Sequence, residues 1–252
     1  MKGYRSVPII ANNYYRTDTP GGMLDMLPDI SQRYLAVRSG VGYFGLSGKV
    51  ITPNEGAAVI LGAVVTTADF EPTEPLPPKG NYCDGCRLCM ASCASGLMDS
   101  EAETTVNMGG AEFTHSRRKS YLRCEFVCGG FTGLHPSGKW STWSPGRFPI
   151  PENDKEFLPV LMNGIANYSK WPDMGGGYYH SLSPYKLFLT CGNCQLICYP
   201  DKEERKRRYQ LLKGSGVVVQ NERGSLEAIS PDKARQRMEG LPRERRALHE
   251  TV

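Results

Sequence analysis

Seven of the nine cysteines in this chain fall in two compact runs, and no other feature restricts its folding as strongly. The first run, Cys83-Asp84-Gly85-Cys86-Arg87-Leu88-Cys89-Met90-Ala91-Ser92-Cys93, has the spacing C-x2-C-x2-C-x3-C. The second, Cys191-Gly192-Asn193-Cys194-Gln195-Leu196-Ile197-Cys198, is C-x2-C-x3-C and is followed by Tyr199-Pro200. A triplet spaced by two residues wraps a tight loop round one cubic cluster, with each thiolate on its own iron. The fourth cysteine, on the ensuing helix, points at a neighbouring cluster. Zinc also favours C-x2-C units, but as two separated pairs rather than a compact triplet plus a fourth.

The spacing therefore predicts two 4Fe–4S clusters packed as in a bacterial two-cluster ferredoxin. The first takes Cys83, Cys86, Cys89 and Cys198. The second takes Cys93, Cys191 and Cys194 and needs one more thiolate, for which Cys124 and Cys128 remain. Cys124 is preferred and Cys128 is the alternative. Ala94 stands where the ferredoxin motif has proline, a residue that shapes the turn and is not a ligand.

The rest of the chain sets bounds. Its 252 residues allow one large domain or two modest ones, and 40% hydrophobic with 22% charged residues is the composition of an ordinary globular protein. A net charge of +4 does not argue for a nucleic-acid face. No run approaches the roughly 20 apolar residues that span a bilayer. The N-terminus, Met1-Lys2-Gly3-Tyr4-Arg5, lacks the apolar core of a secretory signal. A reducing cytoplasmic location is expected, with the cysteines as ligands rather than disulfides.

The fold class expected is α/β (α+β). Residues 1–68 read as an α/β segment, with short strands at 7–10 and 57–65 and a helix over 30–38 capped by Asp29 or Ser31. A proline-rich seam (Pro72, Pro75, Pro77, Pro78) opens a ferredoxin-like domain at 69–200. Its residues 100–190 are expected to form a long loop-rich insertion. A C-terminal extension, 201–252, should hold a charged helix over 202–212, a strand at 217–219 and a helical or disordered tail. Arg205-Lys206-Arg207-Arg208 reads as a solvated helix face.

A plain ferredoxin is far shorter than this. The glycine-rich run from Arg33 to Lys49, including Ser39-Gly40-Val41-Gly42-Tyr43-Phe44-Gly45-Leu46-Ser47-Gly48, resembles a segment of the epoxyqueuosine reductase family. Ile51-Thr52-Pro53-Asn54-Glu55-Gly56 and Leu61-Gly62-Ala63-Val64-Val65-Thr66-Thr67 continue the resemblance. So does the order of glycine-rich segment, proline-rich seam, four-cysteine run, Arg-Cys pair and three-cysteine run. Reductive dehalogenases share this layout.

The resemblance implies a partial nitroreductase-like corrinoid domain before the ferredoxin-like one, with cobalamin or another corrinoid held base-off and fed electrons by the two clusters. It implies corrinoid contacts at Gly40, Gly42, Tyr43, Phe44, Ser47 and Gly48. Glycines let backbone lie flat against a planar ring; the alternative is a tight turn with a buried aromatic pair. Family members carry a long further stretch before Gly3-Tyr4-Arg5, so the expectation is that this chain is a fragment or that a partner chain completes the corrinoid site. The other implied partners are a small organic substrate and a low-potential donor of ferredoxin or flavodoxin type. The helical-repeat tail that helps many relatives bind tRNA is absent, which makes tRNA an unlikely substrate.

Candidate proton donors are Asp25, Asp29 and Tyr43, with Tyr14 and Tyr15 behind them. His115, His135, His180 and His249 are scattered and read as loop or surface residues. The alternative to a cobalamin-dependent reductase is an electron-transfer subunit, or an activator that reduces another protein's corrinoid.

Overall fold

In the computed structural model the residues described are 31–64, 66–142, 144–145, 150–167, 170, 191–221 and 223–246. They divide into two units that interleave along the chain. The first takes the described residues up to Met90 together with Met98–Arg118 and Cys194–Arg205. The second takes Ala91–Leu97, the described residues of Lys119–Asn193 and those from Lys206 onward. These units cut across the sequence-based divisions at 68/69 and 200/201.

The first unit opens with helix α1, Gln32–Arg38. Its apolar face, Ala36 and Val37, packs on Phe44 and Val50 of a short antiparallel hairpin, β1 (Tyr43–Phe44) and β2 (Val50–Ile51), and on Phe113. Phe113 lies on a longer hairpin, β3 (Met98–Met108) and β4 (Ala111–Arg118). Gly109 and Gly110 join those strands with φ of 58° and 77°. Two successive left-handed residues match the twist of a tight hairpin, which is why glycine stands at both. A second apolar cluster gathers Tyr43, Ile51, Ala57 and Cys198, with Leu76, Tyr82 and Cys83 packed against it.

In the second unit α3 (Tyr121–Cys128) starts at Ser120, whose hydroxyl accepts from the Leu122 amide and satisfies a first-turn donor. Phe126 on α3 stacks on Phe131 and meets Phe157 of α4 (Asp154–Asn167) edge-on. Val160 and Leu161 complete that core. A third antiparallel hairpin follows, β5 (Val217–Gln220) and β6 (Leu226–Ile229).

Several expectations change. Over the described residues 57–64 the run is not a strand: residues 58–64 take no regular structure, and Ile60 and Val64 are exposed. Among the described residues no strand pairs with it, and an extended segment without a ladder partner leaves its backbone donors and acceptors to water. The span 100–190 is not all loop, since it holds most of the β3–β4 hairpin, α3 and α4. The turn signal Gly109-Gly110 between two polar, threonine-bearing segments was the legible clue. The strand at 7–10 and the residues Tyr14, Tyr15, Asp25, Asp29, His180 and His249 lie outside the described residues.

Candidate metal centre

The first cysteine run enters from a 3-10 turn, Pro78–Gly80. The Asn81 side chain then ties it down, donating to the Phe44 carbonyl (3.1 Å) and accepting from the Cys83 amide (3.0 Å). Gly85 and Arg87 both adopt left-handed backbone, φ 70° and 59°, and Arg87 is the one non-glycine residue among those described to do so. A non-glycine residue held there stores of order 1–3 kcal/mol, and such residues cluster at functional sites. The short helix α2 (Leu88–Ala91) carries Cys89, which is buried.

The second run contributes helix α5 (Asn193–Ile197) and Cys198. The Cys198 carbonyl accepts from the Ala57 amide (3.1 Å), which holds the end of this run beside β2. The consequence is a cavity lined by Cys83, Cys86, Cys89 and Cys198, with Gly45, Leu46 and Ser47 along one side.

Two donors already point at these sulfurs. The Leu46 amide lies 3.2 Å from Cys83 Sγ, and Arg205 Nη1 lies 3.3 Å from Cys86 Sγ. Arg205 is on α6 (Lys202–Lys213) and is 4% exposed. It pairs with Asp84 at 2.9 Å, and Lys202 reaches the other Asp84 oxygen at 2.9 Å. The hydrogen bond from Lys202, and behind it that from Arg205, hold the Asp84 carboxyl down at about 2 despite its partial burial.

The thiols behave oppositely. Burial pushes Cys89 up to about 12, with Cys198, Cys194 and Cys83 nearby adding to the effect. Burial and Cys83 push Cys198 up to about 11. Four thiols lining one cavity, two of them buried, carry negative charge there only at a cost that a cationic metal centre would offset, and thiolate is a soft ligand suited to iron. Among the described residues no three His, Cys, Asp or Glu side chains converge as a single ion requires. A cubic cluster places each thiolate on its own iron and spaces them more widely.

The remaining cysteines are placed by unit. Cys194 belongs to the first, and Cys93, Cys124, Cys128 and Cys191 to the second. Cys93 Sγ lies 3.4 Å from Ser95 Oγ and receives the Leu97 amide at 3.5 Å. Cys124 and Cys128, one turn apart on α3, bring their sulfurs to 3.4 Å.

The six glycine-rich residues have other neighbours. A side-chain carbon on Gly40 would lie 2.5 Å from the Glu74 carbonyl oxygen, and one on Gly42 2.6 Å from that of Ile51. One on Gly48 would meet the His115 ring at 2.9 Å. Tyr43 and Phe44 are buried in the two apolar clusters of their unit, and Ser47 faces the cysteine cavity.

Two residues read as surface are buried. His115 sits on β4 at 4% exposure. Its Nδ1 donates to the Ser116 carbonyl (2.8 Å), which leaves Nε2 to accept from the Tyr34 hydroxyl (2.8 Å). Arg205, taken with its neighbours as a solvated face, is the buried member of a charged run. No local signal distinguishes it, because Lys202, Glu203, Glu204, Lys206, Arg207 and Arg208 around it are charged too.

The site and fold describe a small α+β protein with a cysteine-lined cavity suited to a cluster. Compared with curated proteins, the chain is similar to epoxyqueuosine reductases. It is 31% identical to that of Bacillus cereus over 87 residues, covering 30% of this chain and 22% of the relative. It is 30% identical to that of Bacillus subtilis over 151 residues, 55% of this chain and 37% of the relative. The Listeria monocytogenes protein is 28% identical over 92 residues, 32% and 24% respectively. The chain thus spans well under half the length of these relatives. No family model matches it, and no solved structure does.

The expectation against tRNA loses its ground in this comparison. It rested on a missing tail, and a chain matching so little of its relatives carries no information about segments beyond the match. No described helix is long and apolar enough to cross a membrane.

Proposed function

We propose that this chain is an iron–sulfur oxidoreductase, or the electron-carrying part of one, that passes low-potential electrons through two 4Fe–4S clusters. The observation that carries this reading is the single cavity lined by Cys83, Cys86, Cys89 and Cys198, supported by the similarity to epoxyqueuosine reductases. When bound, a cluster there would supply one-electron transfer. The chain's own part is to hold it by four thiolates, donate to Cys83 and Cys86 from the Leu46 amide and Arg205, and keep water away through the burial of Cys89 and Cys198. The second cluster is assigned by spacing to Cys93, Cys191, Cys194 and Cys124, with Cys128 as the alternative.

The expected acceptor is a corrinoid that reduces an organic substrate, and the relatives' name brings a modified nucleoside, with tRNA as its carrier, into the substrate class. At Gly40, Gly42 and Gly48 the direction a side chain would take is filled by Glu74, Ile51 and His115, so packing within the chain already accounts for glycine at these three positions. A corrinoid would rest on residues outside those described or on a partner chain. The same packing favours the second reading, an electron-transfer subunit or corrinoid-reducing activator in which this run is structural.

Anaerobically purified protein should contain about eight irons and as much acid-labile sulfide per chain. Zinc without sulfide would rule out the cluster reading. Cobalt, or a base-off spectrum after reconstitution with cobalamin, selects the reductase; its absence selects the electron-transfer subunit.

A second expectation concerns α3. Residues four apart share a helix face, and one further thiolate is enough. Cys124→Ala should remove the second cluster, about half the iron, whereas Cys128→Ala should leave both. The reverse pattern would exchange the two assignments, and full iron in the double variant would exclude both residues as ligands.

A further inference from the structure

The most heavily constrained charge in the first unit is Arg205. Its side chain is almost completely buried, yet it belongs to a helix whose neighbouring positions are open to solvent. One nitrogen, Nη1, lies 2.9 Å from an Asp84 oxygen and 3.3 Å from Cys86 Sγ. A second, Nη2, reaches the other Asp84 oxygen at 3.4 Å. The third, Nε, is buried without a hydrogen-bond partner among the described residues, and the guanidinium lines the cysteine cavity. Burying a cation is costly unless it is paired, and burying one of its N–H groups unpaired adds to that cost. Asp84 accounts for the pairing. It does not account for the orphaned Nε or for the contact with a cysteine sulfur.

We propose that Arg205 sets the reduction potential of the cluster held by Cys83, Cys86, Cys89 and Cys198; this rests on the two-cluster reading above. The reaction is the uptake of one electron from a low-potential donor by the iron–sulfur core, with no bond made or broken. The added electron increases the negative charge of a core already ringed by thiolates. A fixed guanidinium at a ligand sulfur stabilises that reduced form more than the oxidised one, and the low dielectric of a buried site strengthens the effect. The sulfur-facing hydrogen bond acts in the same direction, because it withdraws electron density from Cys86. Asp84 opposes the cation and trims the effect, and its second partner, Lys202, anchors it on the outer side. Arg205 is thus a potential-setting residue that touches a ligand sulfur, with Asp84 as its counterweight.

The test is an equilibrium redox titration of the whole protein, followed by electron spin resonance, with iron and sulfide measured on the same samples. Arg205→Met should lower the midpoint of one cluster and leave the other in place. Arg205→Lys, which keeps the charge but not the planar fork, should restore most of the shift. Asp84→Asn should raise the midpoint, and adding Arg205→Met to it should lower the midpoint again, which separates a direct effect of the guanidinium from one exerted by releasing Asp84. Should Arg205→Met fail to retain its cluster, Asp84→Asn decides: a midpoint at the wild-type value with full iron content overturns the proposal. An unchanged midpoint in a fully loaded Arg205→Met protein overturns it as well. Wild-type protein without four-iron clusters would instead bring down the underlying reading, an outcome visible before any variant is made.

Discussion

Cys89→Ala is expected to strip one of the two proposed clusters from the protein, so that bound iron falls from about eight to about four per chain. The reason is the burial of this position. Cys89 is 7% exposed, sits on a four-residue helix, and shares its cavity with Cys83, Cys86 and Cys198. An alanine there removes one of the four thiolates that line the cavity and leaves Ser47, a far weaker ligand, as the nearest polar side chain. Cys89→Ser, which keeps an oxygen donor at nearly the same place, should retain more of the cluster, at least transiently. The measurement is iron and acid-labile sulfide on protein prepared without oxygen. Full iron in Cys89→Ala would show that the cavity is not a cluster site, whatever the spacing of the cysteines.

The second large effect is structural and lies in the other unit. Phe157→Ala should destabilise the protein by about 3–5 kcal/mol, the usual cost of emptying a fully buried aromatic site. Phe157 has no exposed surface; it meets Phe126 edge-on at 5.9 Å and lies under the Arg123 guanidinium, 4.7 Å from its ring centroid. Arg123 is itself buried. It pairs with Asp154 and donates to the Ser95 and Glu152 carbonyls, so one cation fastens α3 to the start of α4 and to the loop after Cys93. Deleting the ring removes its apolar burial and a floor on which that cation rests. Phe157→Leu, which preserves most of the volume, should cost much less. Urea unfolding followed by far-ultraviolet circular dichroism reads both, and equal midpoints for wild type and Phe157→Ala would contradict the packing described.

Some of this architecture could be read from residue order alone. Helix α1, helix α6 and strand β5 carried local signals, either apolar periodicity, a charged run ended by Gly214, or three consecutive valines. The β3–β4 hairpin was legible only in its Gly109-Gly110 turn, because strands with exposed polar faces lack a strong apolar pattern. The apolar run 57–65 misled for the complementary reason. Apolar β-branched residues favour a strand, but a strand exists only through its neighbour, and none pairs with this run among the described residues.

At the site the division follows the same physics. A triplet of cysteines two apart traces a short chain path of the kind that rounds a cluster, so the sequence by itself grouped Cys83, Cys86 and Cys89 and left Cys198 free to join them, and all four line one cavity. Only the tertiary structure decided what surrounds them. It brought Arg205, 119 residues from Cys86 along the chain, within 3.3 Å of that sulfur, and Leu46 to Cys83 across 37 residues. It also filled the space beside Gly40, Gly42 and Gly48 with Glu74, Ile51 and the His115 ring. Such contacts depend on which distant segments the folded chain brings side by side. A residue's own neighbours in sequence cannot encode that: one arginine in a charged helix is buried and the next is exposed because of what lies across from each.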